Sequence, residues 1–217
     1  RHAHFDANSN GDRTMTSILK VDTLQTAAGG VPTAGDLGLN TDGTILEHLE
    51  GYCDGRTVGG VTFPSVTSWI AFNTATYADV AGSDITYTPP SDATLVVYKF
   101  TFSIFGSTAG GISHWRTYID TDEVTLNRTM LAGNYQTTNL WDHRIQTITL
   151  PIAVGGTQDV ANGKLSSWVA PKTIKLMTRA YNASFAFSIH KNEFWDGVYA
   201  SGSDLIRIPT LSITAVK

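Results

Sequence analysis

The chain has a single cysteine, Cys53, among its 217 residues. That excludes an intrachain disulfide framework and a cysteine-rich zinc site. Charge is also scarce. Asp, Glu, Lys and Arg make up 16% of the residues, against about 25% in an ordinary soluble domain. The net charge of −4 gives no electrostatic basis for binding nucleic acid. No apolar run approaches the roughly 18 residues of a membrane span, so membrane insertion is not expected. No basic segment leading into an apolar stretch opens the sequence, so no secretory signal is expected. What fills the gaps is Gly, Thr, Ser and Asn, the composition of a β-rich chain with many turns.

Residues 1–60 read as an extended arm. The stretch from Thr26 to Thr44 (TAAGGVPTAGDLGLNTDGT) offers only Val31, Leu37 and Leu39 as sizeable apolar groups. Burying three such side chains contributes about 1.5–3 kcal/mol each. Fixing each backbone residue costs about 1–2 kcal/mol. The stretch therefore cannot order itself, and the arm is expected to anchor the chain between sister subunits or in a larger assembly. Ser17 to Gln25 (SILKVDTLQ) reads as one short strand, with Leu19, Val21 and Thr23 on one face and Lys20 and Asp22 on the other. Ile45 to Glu50 suggests a single helical turn bracketed by Gly43 and Gly51, and Cys53 to Gly60 a loop.

Residues 61–217 change texture: short period-two runs alternate with turn signals, the pattern of an antiparallel β-sandwich with jelly-roll-like packing. The clearest run is Thr94 to Phe105, with Val96, Tyr98, Phe100, Phe102 and Ile104 on the buried face. Other one-face sets are Val66, Ser68, Ile70 and Phe72; Ile85 and Tyr87; Trp115, Thr117 and Ile119; Ile148, Leu150 and Ile152; Ile174 and Leu176; Phe185, Phe187 and Ile189; and Leu211, Ile213 and Ala215. Asn162-Gly163 predicts a type I′ hairpin, and Pro209 an edge or a bend. No helix of ordinary length is expected in this body.

Two segments carry a resemblance. Thr16 to Asn40 (TSILKVDTLQTAAGGVPTAGDLGLN) resembles the opening of structural proteins from marine bacteriophages, especially tail-fibre and head-appendage proteins of cyanophages. Ile85 to Phe102 (ITYTPPSDATLVVYKFTF) and Ile206 to Lys217 (IRIPTLSITAVK) are similar to the β-sandwich that ends those proteins. Family members commonly begin with Met just before the SILKVDT strand; here Met15 stands there and Arg1 to Thr14 precede it. The resemblance implies a non-enzymatic virion structural protein, a tail fibre or a capsid fibre or decoration. It implies a homotrimer that is anchored by its N-terminal part among other virion proteins and displays the sandwich.

Candidate chemistry is sparse. Asp6, Asn8, Asn10, Gly11 and Asp12 match the first half of a calcium loop, but Ser17 stands where the bidentate Glu belongs. A polar turn is the plainer reading, and no metal or cofactor is expected. Asp120, Asp122 and Glu123 form one carboxylate group, and Glu193 and Asp196 another; both have turn composition. A glycan-cleaving site needs two carboxylates across the sugar, and a polysaccharide depolymerase is the least favoured function. Of the five tryptophans, Trp69, Trp115, Trp141, Trp168 and Trp195, most are expected in a core or interface. Trp141 with His143, and Trp195 with Asp196, are the candidates for contact with a host-surface glycan, because a ring beside polar groups suits a sugar. A lectin-like receptor-binding module is thus the alternative function.

Overall fold

The computed structural model describes residue 30 and residues 41–106, 111–132, 142–192 and 205–217. The chain divides into two compact units, Arg1–Thr41 and Asp42–Lys217. The fold described is that of the second.

In chain order its strands are β1 (Ile45–Tyr52), β2 (Thr57–Val58), β3 (Val61–Thr62), β4 (Ile70–Phe72), β5 (Ala78–Asp79), β6 (Ile85–Tyr87), β7 (Leu95–Gly106), β8 (Ile112–Ile119), β9 (Asp122–Glu123), β10 (Thr129–Ala132), β11 (Asp142–Val154), β12 (Lys164–Leu165), β13 (Lys172–Ala180), β14 (Phe187–Ile189) and β15 (Thr210–Val216). Helix among the described residues is confined to three 3-10 turns, at Thr125–Asn127, Val160–Asn162 and Ala183–Phe185. One sheet has the order β1-β15-β7-β11-β12, with β14 beside β7 and β4 beside β14. The second has the order β10-β8-β13-β5, with β6 beside β13 and β9 beside β8. The long pairings are antiparallel. In its described residues this second unit is an all-β antiparallel sandwich.

The spine is β7. Its alternation of aromatic and β-branched residues suits a pleated strand with one wet face. Val96, Tyr98, Phe100, Phe102 and Ile104 are each at most 2% exposed, as their spacing predicts. On one side β11 pairs along the whole strand, from Leu95 against Ala153 to Gly106 against Asp142. On the other side β7 changes partner: β15 covers Leu95–Thr101 and β14 covers Ile104–Gly106. At the change, the Ser103 carbonyl accepts the N–H of His190 at 2.9 Å.

Across the core stand Trp115, Ile119, Ile174, Leu176 and Ala180 of the second sheet. The Phe102 ring lies 4.8 Å from Trp115 and 5.2 Å from Phe100. Several buried polar groups of the core are paired within the fold, as burial without a partner would cost about 1–3 kcal/mol each. Tyr98 Oη donates to Ser83 O at 2.6 Å, Trp115 Nε1 to Ser113 Oγ at 2.8 Å and Trp168 Nε1 to Tyr87 O at 3.1 Å. Cys53 is fully buried, donates to Gly82 O at 3.2 Å, and burial pushes its thiol up to about 12.

Several expectations need correction. Ile45–Tyr52 is not a helical turn but an edge strand paired with β15 along its length. Residues 42–60 therefore belong to the sandwich and not to an arm, and the division falls between Thr41 and Asp42. Phe185 is only half-buried, because Asn182 Oδ1 accepts Ser184 N–H at 2.9 Å and caps a 3-10 turn that delays the strand to Phe187. Ser68 is exposed and the strand there spans only Ile70–Phe72. Asn162-Gly163 does not make a type I′ turn: Asn162 ends a 3-10 turn, and only Gly163 takes positive φ, at 68°. A type I′ turn needs positive φ at both positions. The β2–β3 hairpin has that geometry instead, with Gly59 at φ 57° and Gly60 at φ 81°.

Gly82 shows how closely the loops seat on the core. Its φ is 82°, and a Cβ there would lie 2.5 Å from Val66 Cγ2 and 3.2 Å from Pro209 Cγ. Gly82→Ala combines backbone strain with overpacking and should lose about 2–4 kcal/mol in urea unfolding. A loss under about 0.5 kcal/mol would mean that the loop is not packed as described.

Candidate functional site

Strand alternation that buries one set of residues presents the other set outward, and each sheet thus carries an outer face. On the first sheet, cross-strand register builds rows. The first is Tyr52–Thr210–Thr101–Thr147, with the two hydroxyls of Thr101 and Thr147 2.9 Å apart. The second is Glu50–Ser212–Lys99–Thr149, and the third His48–Thr214–Val97–Pro151. His48 Nδ1 lies 2.8 Å from Thr214 Oγ1. Glu50 and Lys99 are the Glu, Asp, Lys or Arg residues of these three rows. A groove of about 550 Å³ opens at the Tyr52 end, lined by Tyr52, Asp54, Thr101, Asn192, Arg207 and Thr210 among others. Beside it Arg56 grips Asp54 with two hydrogen bonds, at 2.8 and 2.6 Å, and these hold the Asp54 carboxyl down at about 2.

The outer face of the second sheet differs in kind. Its rows are Met130–His114–Arg179, Arg116–Met177–Asp79 and Glu123–Tyr118–Lys175. The Arg116 guanidinium sits 4.1 Å from the centre of the Tyr77 ring and that of Arg179 5.3 Å from it. Arg128 takes Glu123 with both ends of its fork, at 2.6 and 3.0 Å. That hydrogen bonding, with the charge of Arg116, holds the Glu123 carboxyl below its ordinary range. Arg116 Nε reaches the same carboxylate only at 3.4 Å. Lys175 pairs with Asp79 at 2.9 Å. The His114 ring is near-parallel to Tyr181, with centres 6.3 Å apart, and Phe185 meets Tyr181 edge-on at 5.8 Å. Burial first, then the Arg179 charge, lowers His114 below the ordinary histidine value. A small pocket of about 210 Å³ is lined by Tyr77, His114, Trp115, Arg128, Thr129 and Met130. His114 Nε2 and Arg116 Nε are buried atoms with no hydrogen-bond partner among the described residues.

Of the residues singled out in the sequence, His143 lies exposed on β11 of the first sheet, with its ring 4.6 Å from Phe105. Trp141, Trp195 and Asp196 lie outside the described residues, as do Glu193 and the half-motif Asp6, Asn8, Asn10 and Asp12. Asp120 closes the β8–β9 turn at φ 55° and accepts the Thr173 N–H and Lys172 Nζ, each at 2.9 Å. Burial pushes that carboxyl up, but those two donors outweigh it and hold it low. Asp120 and Glu123 thus serve turns and ion pairs within the fold. Among the described residues no three His, Cys, Asp or Glu side chains gather as metal ligands. Trp115 and Trp168 are buried, and Trp69 is half-buried with Lys191 Nζ 5.6 Å from its ring centre.

Sequence reasoning missed the Arg116–Arg179–Tyr77 group. A signal was present: of the outward positions of His114-Trp115-Arg116-Thr117-Tyr118 and of Lys175-Leu176-Met177-Thr178-Arg179, all but Met177 are cationic or aromatic, a bias that an indifferent wet face would not need.

No family model matches the chain, and no curated protein matches it. Among solved structures it is similar to the crystal structure of dimeric latent PorU from Porphyromonas gingivalis. The TM-score is 0.39 and the identity 9%, over 82% of this chain and 13% of that one. The chain thus spans a small fraction of that protein's length.

Proposed function

We propose that the chain is a non-enzymatic structural protein of a bacteriophage virion, a tail-fibre, capsid-fibre or decoration component that assembles through its N-terminal arm and displays the sandwich as a head. The sequence resemblance supplies the virion. The observation that favours assembly is the outer face of the first sheet, where three rows across four strands hold one acidic residue, Glu50, and one basic residue, Lys99. Both lie in the same row, so a neighbouring copy can set its Lys99 against Glu50.

That patch covers roughly 300 Å² by strand geometry. A stable contact buries about 800 Å² per partner. The remainder falls to the arms of the neighbouring copies, for which the self-ordering arithmetic already requires a partner. A homotrimer follows from the resemblance to phage fibres, and closed symmetry is the common solution for such assemblies.

Light scattering coupled to size-exclusion chromatography tests this. The full chain is expected at three times the monomer mass, and a chain lacking residues 1–41 at the monomer mass. Lys99→Glu, which sets like charges against each other, should shift the full chain toward monomer. A full-length chain that stays monomeric at tens of micromolar would refute the assembly. Absence of its peptides from purified phage particles whose genome encodes it would refute the virion assignment.

A further inference from the structure

We propose that the outer face of the second sheet is a binding site for an anionic polysaccharide. In this site Arg116 and Arg179 take the acidic group, and the Tyr181–His114 ring pair takes the apolar face of a sugar. The site stands independently of the virion reading, since it rests on the second sheet alone.

Charge counting comes first. The face holds the cations Arg116, Arg128, Arg179 and Lys175 against the carboxylates Glu123 and Asp79. Arg128 saturates Glu123, and Lys175 takes Asp79. Arg116 approaches Glu123 without hydrogen-bond geometry at its Nε. Arg179, with five N–H donors, directs one to the Ala180 carbonyl at 3.4 Å, a long contact. Two guanidinium charges are therefore in surplus, on a chain whose net charge is −4. A background field does not produce that; a local arrangement does.

The second observation is preorganisation. Tyr77 holds both surplus guanidiniums over its ring, at 4.1 and 5.3 Å. Cation–π contacts of this kind fix a long side chain that would otherwise lose entropy on binding. Planar guanidinium forks match carboxylate and sulfate oxygens. Beside them Tyr181 is 52% exposed, yet its ring is braced by His114 and Phe185. A braced, half-exposed ring just past the end of β13, against the His114 ring of the Arg179 row, presents apolar area and charge together. The unpartnered His114 Nε2 at the lip of the small pocket adds a polar atom with no internal use among the described residues.

The ligand class follows from charge density. Double-stranded nucleic acid carries one charge per about 1.7 Å of helix axis, too dense for two surplus cations on an acidic chain. An acidic peptide matches the arginines but leaves the ring platform unused. A polysaccharide with an acidic group on some of its sugars uses both, and a flat sheet face accepts an extended polymer. Carboxylate and sulfate groups share the same chemistry here.

Biolayer interferometry with the full chain tests the site, using polygalacturonate, dextran sulfate, neutral dextran, poly-glutamate and poly-dT as probes at about 0.15 M salt. Binding is expected to polygalacturonate or dextran sulfate and not to dextran. The one held more tightly identifies carboxylate or sulfate as the preferred group. Arg179→Gln should weaken it about tenfold, and Tyr181→Ala about fivefold, with melting temperatures unchanged. Lys164→Gln, exposed on β12 of the first sheet, should leave binding intact. Arg116→Gln provides a second charge variant should Arg179→Gln fold poorly. Failure to bind either polysaccharide would overturn the proposal. So would equal binding of poly-glutamate or poly-dT, or affinity indifferent to both Arg179→Gln and Tyr181→Ala.

Discussion

Phe102→Ala is expected to cost about 3–5 kcal/mol of folding stability, among the largest losses open to a single substitution in this chain. The side chain is 1% exposed at the middle of β7, and its ring lies 4.8 Å from Trp115 of the opposite sheet. It also stacks on Phe100 at 5.2 Å and meets the His190 ring at 6.4 Å. Truncation removes the transfer free energy of a ring and leaves a cavity that stiff neighbours on two sheets cannot collapse. Urea unfolding should show a lower midpoint with an unchanged slope. Thr149→Ala on β11, whose side chain points outward opposite Lys99, should change stability by under about 0.5 kcal/mol. Comparable losses for the two substitutions would mean that the inward and outward faces of the first sheet are not as described.

That contrast between faces is legible in the sequence, because the register of β7 is written in its alternation and a one-residue slip would expose five large apolar groups. The same holds for Trp115 and Ile119, for Ile148, Leu150 and Ile152, and for Leu211, Ile213 and Ala215, all of which face the core. The edges are not legible. Ile45–Tyr52 becomes a strand because β15 offers it an open edge, and its partners Thr210–Val216 lie at the far end of the chain. Local propensity carries no trace of such a partner. Asn162-Gly163 has the composition of a hairpin turn, yet the chain there closes a 3-10 turn and runs on parallel to β11. Dipeptide chemistry permits both outcomes, and the neighbouring strands select one. For the candidate site the limit is similar. Alternation marks Arg116 and Arg179 only as outward. What brings them over one ring is the pairing of β8 with β13 and the path of the loop that carries Tyr77. Trp141 and Trp195 stand out in the sequence as rings beside polar groups and lie outside the described residues. Their companion His143 stands on the first sheet, not on the basic face of the second.

Acid should destabilise this protein well above the pH at which carboxylates titrate, and His190 is the reason. The residue is fully buried, takes φ 62°, and meets the Phe100 and Phe102 rings edge-on. Its backbone is committed on both sides: its N–H donates to Ser103 O and its carbonyl accepts from Arg207 N. Nε2 donates to Ala81 O at 2.9 Å, and Nδ1 has no hydrogen-bond partner among the described residues. Burial drives the ring down from 6.5 to about 4, against a smaller opposing effect of the Ala81 carbonyl. The folded state thus binds the proton more weakly than the unfolded chain. Stability is fully present above pH 6.5 and is lost as pH falls toward about 4. At 1.36 kcal/mol per unit, the loss over that window is about 3 kcal/mol. The lowered carboxylates Asp54, Asp120 and Glu123 act at lower pH, since their unfolded values are 3.8, 3.8 and 4.5. His190→Asn separates the two effects. Asn tolerates positive φ and its amide can donate to Ala81 O, but it does not titrate. Urea unfolding at pH 7, 5.5 and 4.5 should show the wild type losing stability between each pair of conditions and His190→Asn losing far less. Parallel profiles for the two proteins would mean that His190 is not held neutral in the core, and the packing assigned to the Ser103 switch between β15 and β14 would be wrong.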